Sequence, residues 1–146
     1  IEKISIGNHV RKDDFCILSG HISLGSYIHI SAFCALYGNM GIEMEDYTGL
    51  SPRCTIFSAT DDFSGNYLIG PMLVKEKTNV NGGKVLIKKY SQIGASCTIM
   101  PKLTIEEGVA VGAMSLVTKT LKSWGIYVGI PAKKKKDRSR ELLNLI

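Results

Sequence analysis

The chain of 146 residues has few cysteines and no long hydrophobic run. No stretch approaches the roughly 18 consecutive apolar residues that a transmembrane helix needs, so we expect no membrane span. Its four cysteines are too few and too widely spread for a secreted disulfide scaffold. We therefore expect a single domain in a reducing, cytoplasmic environment.

Acidic residues are outnumbered, and the net charge of +5 is concentrated near the C-terminus. Six basic residues lie between positions 133 and 140, beginning with the run Lys133 to Lys136. Such a cluster can bind nucleic acid, an anionic membrane or a phosphorylated small molecule. No nucleic-acid motif or interleaved aromatic residue accompanies it, so we expect a small-molecule partner and no nucleic acid.

The strongest internal signal is a period of six residues. Aliphatic side chains recur at this interval, and a second small or apolar side chain follows each of them four residues later. In the run from Ile6 to Leu36 only Lys12 is not aliphatic. A two-residue insertion near Gly38 to Gly41 then delays the next run, which begins at Met44. The period is neither the 3.6 of a helix nor a simple alternation. The aliphatic positions are Ile6, Leu18, Leu24, Ile30, Leu36, Met44, Leu50, Ile56, Ile87, Ile93, Ile99, Ile105, Val111 and Val117.

Short strands joined by tight corners explain this period, because each hexapeptide can form one side of a triangular coil with its first and fifth residues inward. Three hexapeptides close one turn, so these fourteen positions and that of Lys12, fifteen in all, predict about five coils. We predict an all-β parallel β-helix over residues 1–132, interrupted by an excursion loop at 57–85. Residues 133–146 are predicted to form a short basic C-terminal helix.

All four cysteines fall at the inward fifth position of this register. Cys16 and Cys34 are one coil apart, and Cys54 follows one coil plus the insertion later. If the segment that contains the excursion counts as one hexapeptide of the coil, Cys97 falls on the same wall as the other three cysteines. The spacing therefore predicts a stack of four buried thiols that serve as core packing.

The excursion is the candidate functional segment, because long loops on rigid scaffolds usually carry binding and catalytic residues. Asp61 and Asp62 lie close to the point where the coil breaks. Either carboxylate is placed to act as a general base or to accept hydrogen bonds from a substrate.

Four segments together carry a resemblance to a known family. They are Ser58 to Gly65, Ile87 to Ala95, Val111 to Lys119, and Gly129-Ile130-Pro131-Ala132-Lys133. With the hexapeptides they resemble the hexapeptide-repeat acetyltransferases, most closely those of polysaccharide and lipopolysaccharide biosynthesis, with galactoside and maltose acetyltransferases as more distant relatives. The resemblance covers nearly the whole chain.

The resemblance implies a left-handed coil and a homotrimer whose active sites lie in clefts between neighbouring subunits. It also implies acetyl-CoA as co-substrate, with no metal. Small residues would line the pantetheine channel, and a hydroxyl and lysines would contact the phosphates and the adenine end. Carried onto this chain, the first group is Gly94, Ala95 and Ala113, and the second is Thr118, Lys119 and Lys133.

One departure from the family concerns the general base. Relatives commonly place a histidine in the excursion near Ala59 or Asp61, and this chain has none there. Its only histidines are His9, His21 and His29. We therefore consider Asp61 and Asp62 as catalytic candidates, together with His29, or else His21, entering the cleft from a neighbouring subunit.

The sequence favours transfer of acetyl from acetyl-CoA to a sugar hydroxyl in surface-polysaccharide assembly. N-acetylation of a nucleotide-linked amino sugar is the alternative, because an uncharged amine needs no base to become nucleophilic. A γ-type carbonic anhydrase is disfavoured because the spacing of the histidines does not resemble its zinc site. A scaffold without catalytic activity is the third alternative.

Overall fold

The computed structural model describes residues 2–146, and they form a parallel β-helix. Seventeen short strands follow one another along the chain, with a 3-10 helix at Lys75–Lys77 and another at Glu141–Leu145. The strands are β1 (Lys3–Ile6), β2 (Val10–Lys12), β3 (Ile17–Leu24), β4 (Ile28–Ile30), β5 (Ala35–Met44), β6 (Gly49–Leu50), β7 (Thr55–Phe57), β8 (Ala59–Thr60), β9 (Asn81–Gly82), β10 (Val85–Ile87), β11 (Gln92–Ile93), β12 (Thr98–Ile99), β13 (Leu103–Ile105), β14 (Ala110–Val111), β15 (Leu116–Val117), β16 (Gly125–Val128) and β17 (Lys133–Asp137).

The strands stack into three walls. Wall A contains β1, the second halves of β3 and β5, β10 and β13. Wall B contains β2, β4, β6, β11, β14 and β16. Wall C contains the first halves of β3 and β5, β7, β12 and β15. The chain visits A, B and C in that order, so three edges separate the walls: A/B, B/C and C/A.

The core is the column of inward side chains predicted from the period of six. Their relative exposure is close to zero, and each rests on the side chain of the neighbouring coil. Burying an aliphatic side chain of this size contributes about 1.5–3 kcal/mol, so the stacked columns account for most of the favourable energy of the coil. The largest fully buried members include Ile30, Leu36, Leu50, Ile56, Ile87, Ile93, Ile99 and Ile105.

The predicted thiol stack is confirmed on wall C, where Cys34, Cys54 and Cys97 are buried, whereas Cys16 is only half-buried. The backbone N–H groups of Ile17, Ala35 and Thr55 donate to the carbonyls of Cys34, Cys54 and Cys97, each at 2.9 Å. The cysteines therefore occupy successive coils. All four are free thiols. Hydrogen bonds with the thiols above and below it, together with burial, raise the pKa of Cys54, which keeps this thiol protonated.

The insertion near residues 38–41 is also confirmed. Gly20 pairs with Gly38, whereas Ile22 pairs with Ile42, so β5 carries two residues more than β3 between these partners. The extra residues bulge outward at the C/A edge, and the inward register is unchanged on either side.

The coil has more rungs than predicted, and its end is different. Wall B contains six parallel strands rather than five. The excursion is shorter than predicted at its far end, since Val85 is already a fully buried member of wall A.

The predicted basic helix at 133–146 is wrong in its first part. Residues Lys133–Asp137 form β17, which pairs antiparallel with β16 and covers the open edge of wall B. Only Glu141–Leu145 forms a 3-10 helix. Within residues 2–146, no helix has the length and apolar character required to cross a membrane.

We expect the stacked core to respond strongly to truncation. Ile56 is fully buried and pairs with Leu36 on one side and Ile99 on the other. The variant Ile56→Ala should lower the free energy of unfolding by about 2–5 kcal/mol, because it leaves a cavity in the column. Urea denaturation followed by circular dichroism measures this change.

Ile17→Ala is the matched control, since Ile17 lies on the same wall with 49% of its surface exposed. It should change the free energy of unfolding by less than about 1 kcal/mol. Equal losses in the two variants would contradict the proposed packing.

Candidate active site

The excursion leaves the coil at the C/A edge, where the hydrogen bonds of a buried serine hold its two ends. The hydroxyl of Ser58 donates to the carbonyl of Tyr37 (3.0 Å) and accepts from the N–H of Met40 (2.8 Å). The carbonyl of Ser58 accepts from the N–H of Gly83 at 2.9 Å. The two-residue bulge and both ends of the excursion are thereby joined at one point.

Beyond this point, two short antiparallel strands hold the arms of the excursion together. Ala59 pairs with Gly82 and Thr60 pairs with Asn81. A side chain at Gly82 would approach the carbonyl oxygen of Ser58 to 2.3 Å, so only glycine allows the arms to lie this close.

Asp62 has a structural position in this ladder. Its carboxylate accepts from the N–H of Ser64 (2.7 Å) and from the side-chain amide of Asn79 (2.8 Å). These hydrogen bonds hold the pKa of Asp62 below its usual range. A carboxylate held ionised by two donors clamps the loop and is poorly suited to accept a proton.

Asp61 has a different environment, because it lines a cavity of about 710 Å³ between the excursion and the C/A edge. Tyr37, Asn39 and Thr60 supply polar groups to the same cavity. Pro71 and other apolar residues of the excursion line its opposite side. We call this space the acceptor cavity. It combines one carboxylate, one lysine (Lys75), neutral hydrogen-bonding groups and an apolar surface, which suits a small polar molecule with an apolar part.

His29 does not reach this cavity. It lies on β4 in wall B, where its Nε2 contacts the Asp13 carboxylate at 2.9 Å. Hydrogen bonds with His29 and Arg11 hold the pKa of Asp13 below its usual range. Within one subunit, the structure therefore separates His29 from Asp61 and Asp62. His21 lies nearer, since it shares a neighbouring cavity with Tyr37 and Asn39.

The candidates for the pantetheine channel lie together at the B/C edge. The N–H of Gly94 donates to the carbonyl of Val111 (2.8 Å), and the N–H of Met114 donates to the carbonyl of Ala95 (2.8 Å). Gly94 and Ala95 therefore sit against the corner that contains Ala113 in the next coil. A side chain at Gly94 would approach the nitrogen of Ala113 to 2.6 Å, so glycine is required for this packing.

The remaining cofactor candidates are exposed near the last coils. Thr118 and Lys119 follow β15 at the C/A edge, the same edge that carries the excursion. Lys133 begins β17, where it pairs with Val128. Thr118 and Lys119 lie at the same edge as Asp61, whereas Gly94, Ala95 and Ala113 are one wall away.

Tyr37 and Asn39 are site residues that were not predicted from the sequence. The feature of the sequence that could have identified them was the two-residue insertion, because extra residues at one corner of a regular coil must bulge outward. Asn39 is one of them, and it lines the acceptor cavity.

Within residues 2–146, no group of three or more histidine, cysteine, aspartate or glutamate side chains has an arrangement that could hold a metal ion. His21 lies on wall A and His29 on wall B. The chain therefore does not form the three-histidine arrangement of a γ-type carbonic anhydrase from the residues of one subunit.

Comparison with known proteins gives two close matches. The chain is 40% identical over 147 aligned residues to the dTDP-4-amino-4,6-dideoxy-D-glucose acyltransferase of Escherichia coli, covering 99% of this chain and 77% of that protein. It is 54% identical to AntD, an N-acyltransferase from Bacillus cereus whose crystal structure contains dTDP and 3-hydroxybutyryl-CoA. That superposition has a TM-score of 0.95 and covers 97% of this chain and 76% of AntD.

A more distant structure is a maltose O-acetyltransferase from Clostridium difficile, at 26% identity and a TM-score of 0.70, covering 94% of this chain and 68% of that one. No protein-family model matches the chain.

We expect Asp62→Ala to loosen the excursion, because the arms lose the hydrogen bond from Asn79 that crosses between them, and the first arm loses the local one from Ser64. Proteolytic cleavage between residues 58 and 84 should become several-fold faster. Asp14→Ala is the control, since Asp14 is an exposed aspartate of the first coils. The same cleavage rate in Asp62→Ala and in the unmodified chain would contradict the clamp.

The clamp also predicts a pH dependence. A folded pKa below the unfolded value means that the ionised carboxylate stabilises the loop above the unfolded pKa. This contribution is lost as the pH falls through the folded pKa. Cleavage of the unmodified loop should accelerate in that acidic range, and cleavage of Asp62→Ala should not show this step.

Proposed function

Because the chain belongs to the family of hexapeptide-repeat acyltransferases that includes the Escherichia coli enzyme and AntD, we propose that it acylates the amino group of a dTDP-linked deoxyamino sugar. The chain is an acyl-CoA-dependent acyltransferase. The observation that carries the proposed acceptor is the similarity over nearly the whole chain to an N-acyltransferase crystallised with dTDP and an acyl-CoA.

The acceptor cavity favours an amine over a hydroxyl. Asp61 is its carboxylate, and no histidine is among the residues that line it. A carboxylate is a weak base for an alcohol, whose proton is held far more tightly than that of an ammonium group. A sugar ammonium would be attracted to Asp61 and could lose its proton there. The alternative of N-acylation therefore replaces the hydroxyl acceptor that the sequence favoured.

In the proposed reaction the uncharged amine attacks the thioester carbonyl carbon of acyl-CoA directly. The new C–N bond forms as the C–S bond breaks, and the amine's second proton passes to Asp61 or to the departing thiolate. No acyl-enzyme is formed. A backbone N–H in the cleft would stabilise the oxyanion as charge develops on it. The product would be an amide-bearing nucleotide sugar for surface-polysaccharide assembly.

We propose that acyl-CoA lies along the last coils, with its pantetheine arm against Gly94, Ala95 and Ala113. Small residues allow the ligand to approach the backbone amides at this corner. Thr118, Lys119 and Lys133 would contact the phosphates and the adenine end, since exposed lysines provide charge-assisted donors.

A homotrimer is part of this proposal, and two observations support it. The pantetheine corner lies at the B/C edge, whereas Asp61 lies at the C/A edge, so one prism alone separates the two halves of the site. The excursion also exposes Phe63 (79%) and Met72 (94%), which are large apolar side chains that would be covered in an assembly. Placing the B/C edge of one subunit against the C/A edge of the next brings the halves together in a closed ring.

The proposed role of Asp61 predicts the effect of Asp61→Asn. With an acyl-CoA and dTDP-4-amino-4,6-dideoxyglucose, kcat/KM should fall by about 10²–10⁴-fold, the usual contribution of a general base. Release of free CoA, detected with a thiol reagent, measures the rate. The same sugar with a hydroxyl in place of the amine should not be acylated.

His29→Gln serves as the control for this experiment and should retain nearly full activity. Full activity of Asp61→Asn would disprove the catalytic role of Asp61. Faster acylation of the hydroxyl sugar than of the amino sugar would disprove N-acylation.

The CoA site predicts a steric effect at Ala113, which is exposed. In Ala113→Trp the large ring should block the pantetheine channel, so CoA binding measured by calorimetry should weaken by at least tenfold. The thermal midpoint should change little, because the side chain points outward. Ser123→Trp places the same ring at another exposed position and should bind CoA normally. Unchanged CoA affinity in Ala113→Trp would contradict the proposed channel.

A further inference from the structure

Two further cavities adjoin the acceptor cavity along wall A. Tyr37 and Asn39 line both the acceptor cavity and a second cavity of about 410 Å³. His21 lines this second cavity and a third one, also of about 410 Å³, on the outer face of wall A. Because neighbouring cavities share these lining residues, we describe the three together as the wall A groove.

The far end of the wall A groove carries positive charge. Lys3, His21 and Lys84 line it, and the hydroxyls of Ser5 and Ser23 add neutral donors. Its carboxylate, Glu43, is engaged in an ion pair with Lys84. Glu2 lines the middle cavity and is exposed. Among the described residues, the far end therefore offers Lys3, which has no carboxylate partner, and Lys84, which is held in place by Glu43.

A glycine in the left-handed backbone conformation lies beside Lys84. Gly41 lines the far end with φ of +99°, a conformation that residues with a side chain rarely adopt. The point where its Cβ would lie is 3.5 Å from Cγ of Lys84. The two-residue bulge thus places Asn39 in the acceptor cavity and leaves the backbone of Gly41 beside the lysine.

The spacing along the groove suits a sugar diphosphate. Lys3 and His21 are register partners on neighbouring strands, and His21 lies opposite the bulge that carries Asn39. Neighbouring strands are about 4.8 Å apart, so Asn39 and Lys3 are separated by roughly 10 Å along the prism. A sugar whose amine contacts Asp61 would direct its opposite end along the groove towards His21 and the lysines.

We infer that the wall A groove binds the diphosphate of the nucleotide-linked acceptor, with Lys3, Lys84 and His21 as its phosphate contacts. The inference rests on the proposed function for the orientation of the sugar. The acceptor diphosphate lies on the outer face of wall A, between Lys3 on β1 and Lys84 beside β10, and the CoA phosphates lie by the lysines of the last coils.

The test is calorimetric titration with dTDP, using the full chain at fixed ionic strength. We expect Lys3→Gln and Lys84→Gln each to weaken dTDP binding about tenfold, and the double variant to weaken it further. Affinity for CoA should be unchanged in all three variants. Thymidine, which lacks the phosphates, should bind the unmodified chain at least tenfold more weakly than dTDP. The dTDP affinity of the unmodified chain should fall as salt is added.

Lys122→Gln is the matched control, because Lys122 is an exposed lysine near the other end of the prism. It should bind dTDP as the unmodified chain does. The inference is overturned if the double variant binds dTDP within twofold of the unmodified chain, or if thymidine binds as tightly as dTDP.

An independent acylation assay separates this inference from the proposed function. If the enzyme acylates the amino sugar and both lysine substitutions leave dTDP binding unchanged, the proposed function stands and the wall A groove is disproved as the diphosphate site. If both lysine substitutions weaken dTDP binding but the unmodified chain transfers no acyl group, the diphosphate site stands and the proposed function is disproved.

Discussion

The structure depends on one constraint, which is that each inward side chain must rest on its counterpart in the neighbouring coil. A hexapeptide that lost this register would turn its aliphatic residues towards solvent and leave a cavity in the column. Any added segment must therefore leave the prism at a corner and return in register. The bulge at 38–41 and the excursion both do so at the C/A edge, where Ser58 joins them. The site is built from the parts of the chain that the column does not constrain.

This arrangement separates packing from chemistry. The thiols of Cys34, Cys54 and Cys97 are fully buried, and they continue the core without approaching the acceptor cavity. Asp61 and Asp62 are adjacent in sequence, yet one faces the acceptor cavity and the other closes the loop. The excursion thus supplies Asp61, the carboxylate that we propose as the base, and the hydrogen bonds of Asp62 that hold the loop. Its exposed apolar surface is consistent with a neighbouring subunit completing the site.

The sequence predicted the walls, the bulge and the thiol stack because each follows from a period of six and side-chain identity. It did not predict the end of the prism. A run of lysines is compatible with a helix, but the open edge of β16 needed a partner and took Lys133–Asp137 as a strand. The roles of Asp61 and Asp62 were equally hidden, because they depend on where Asn79 and the bulge lie in space. His29 lies on wall B, away from the excursion, and contacts Asp13, a residue one coil earlier.

The central claim is that Asp61 receives the proton of an amine acceptor at the C/A edge. A crystal structure of the complex with CoA and dTDP-4-amino-4,6-dideoxyglucose tests it most directly. We predict that the amino nitrogen lies about 2.6–3.2 Å from a carboxylate oxygen of Asp61, with the CoA thiol beside it. An amino nitrogen that contacts another side chain, with Asp61 turned to solvent, would contradict the account.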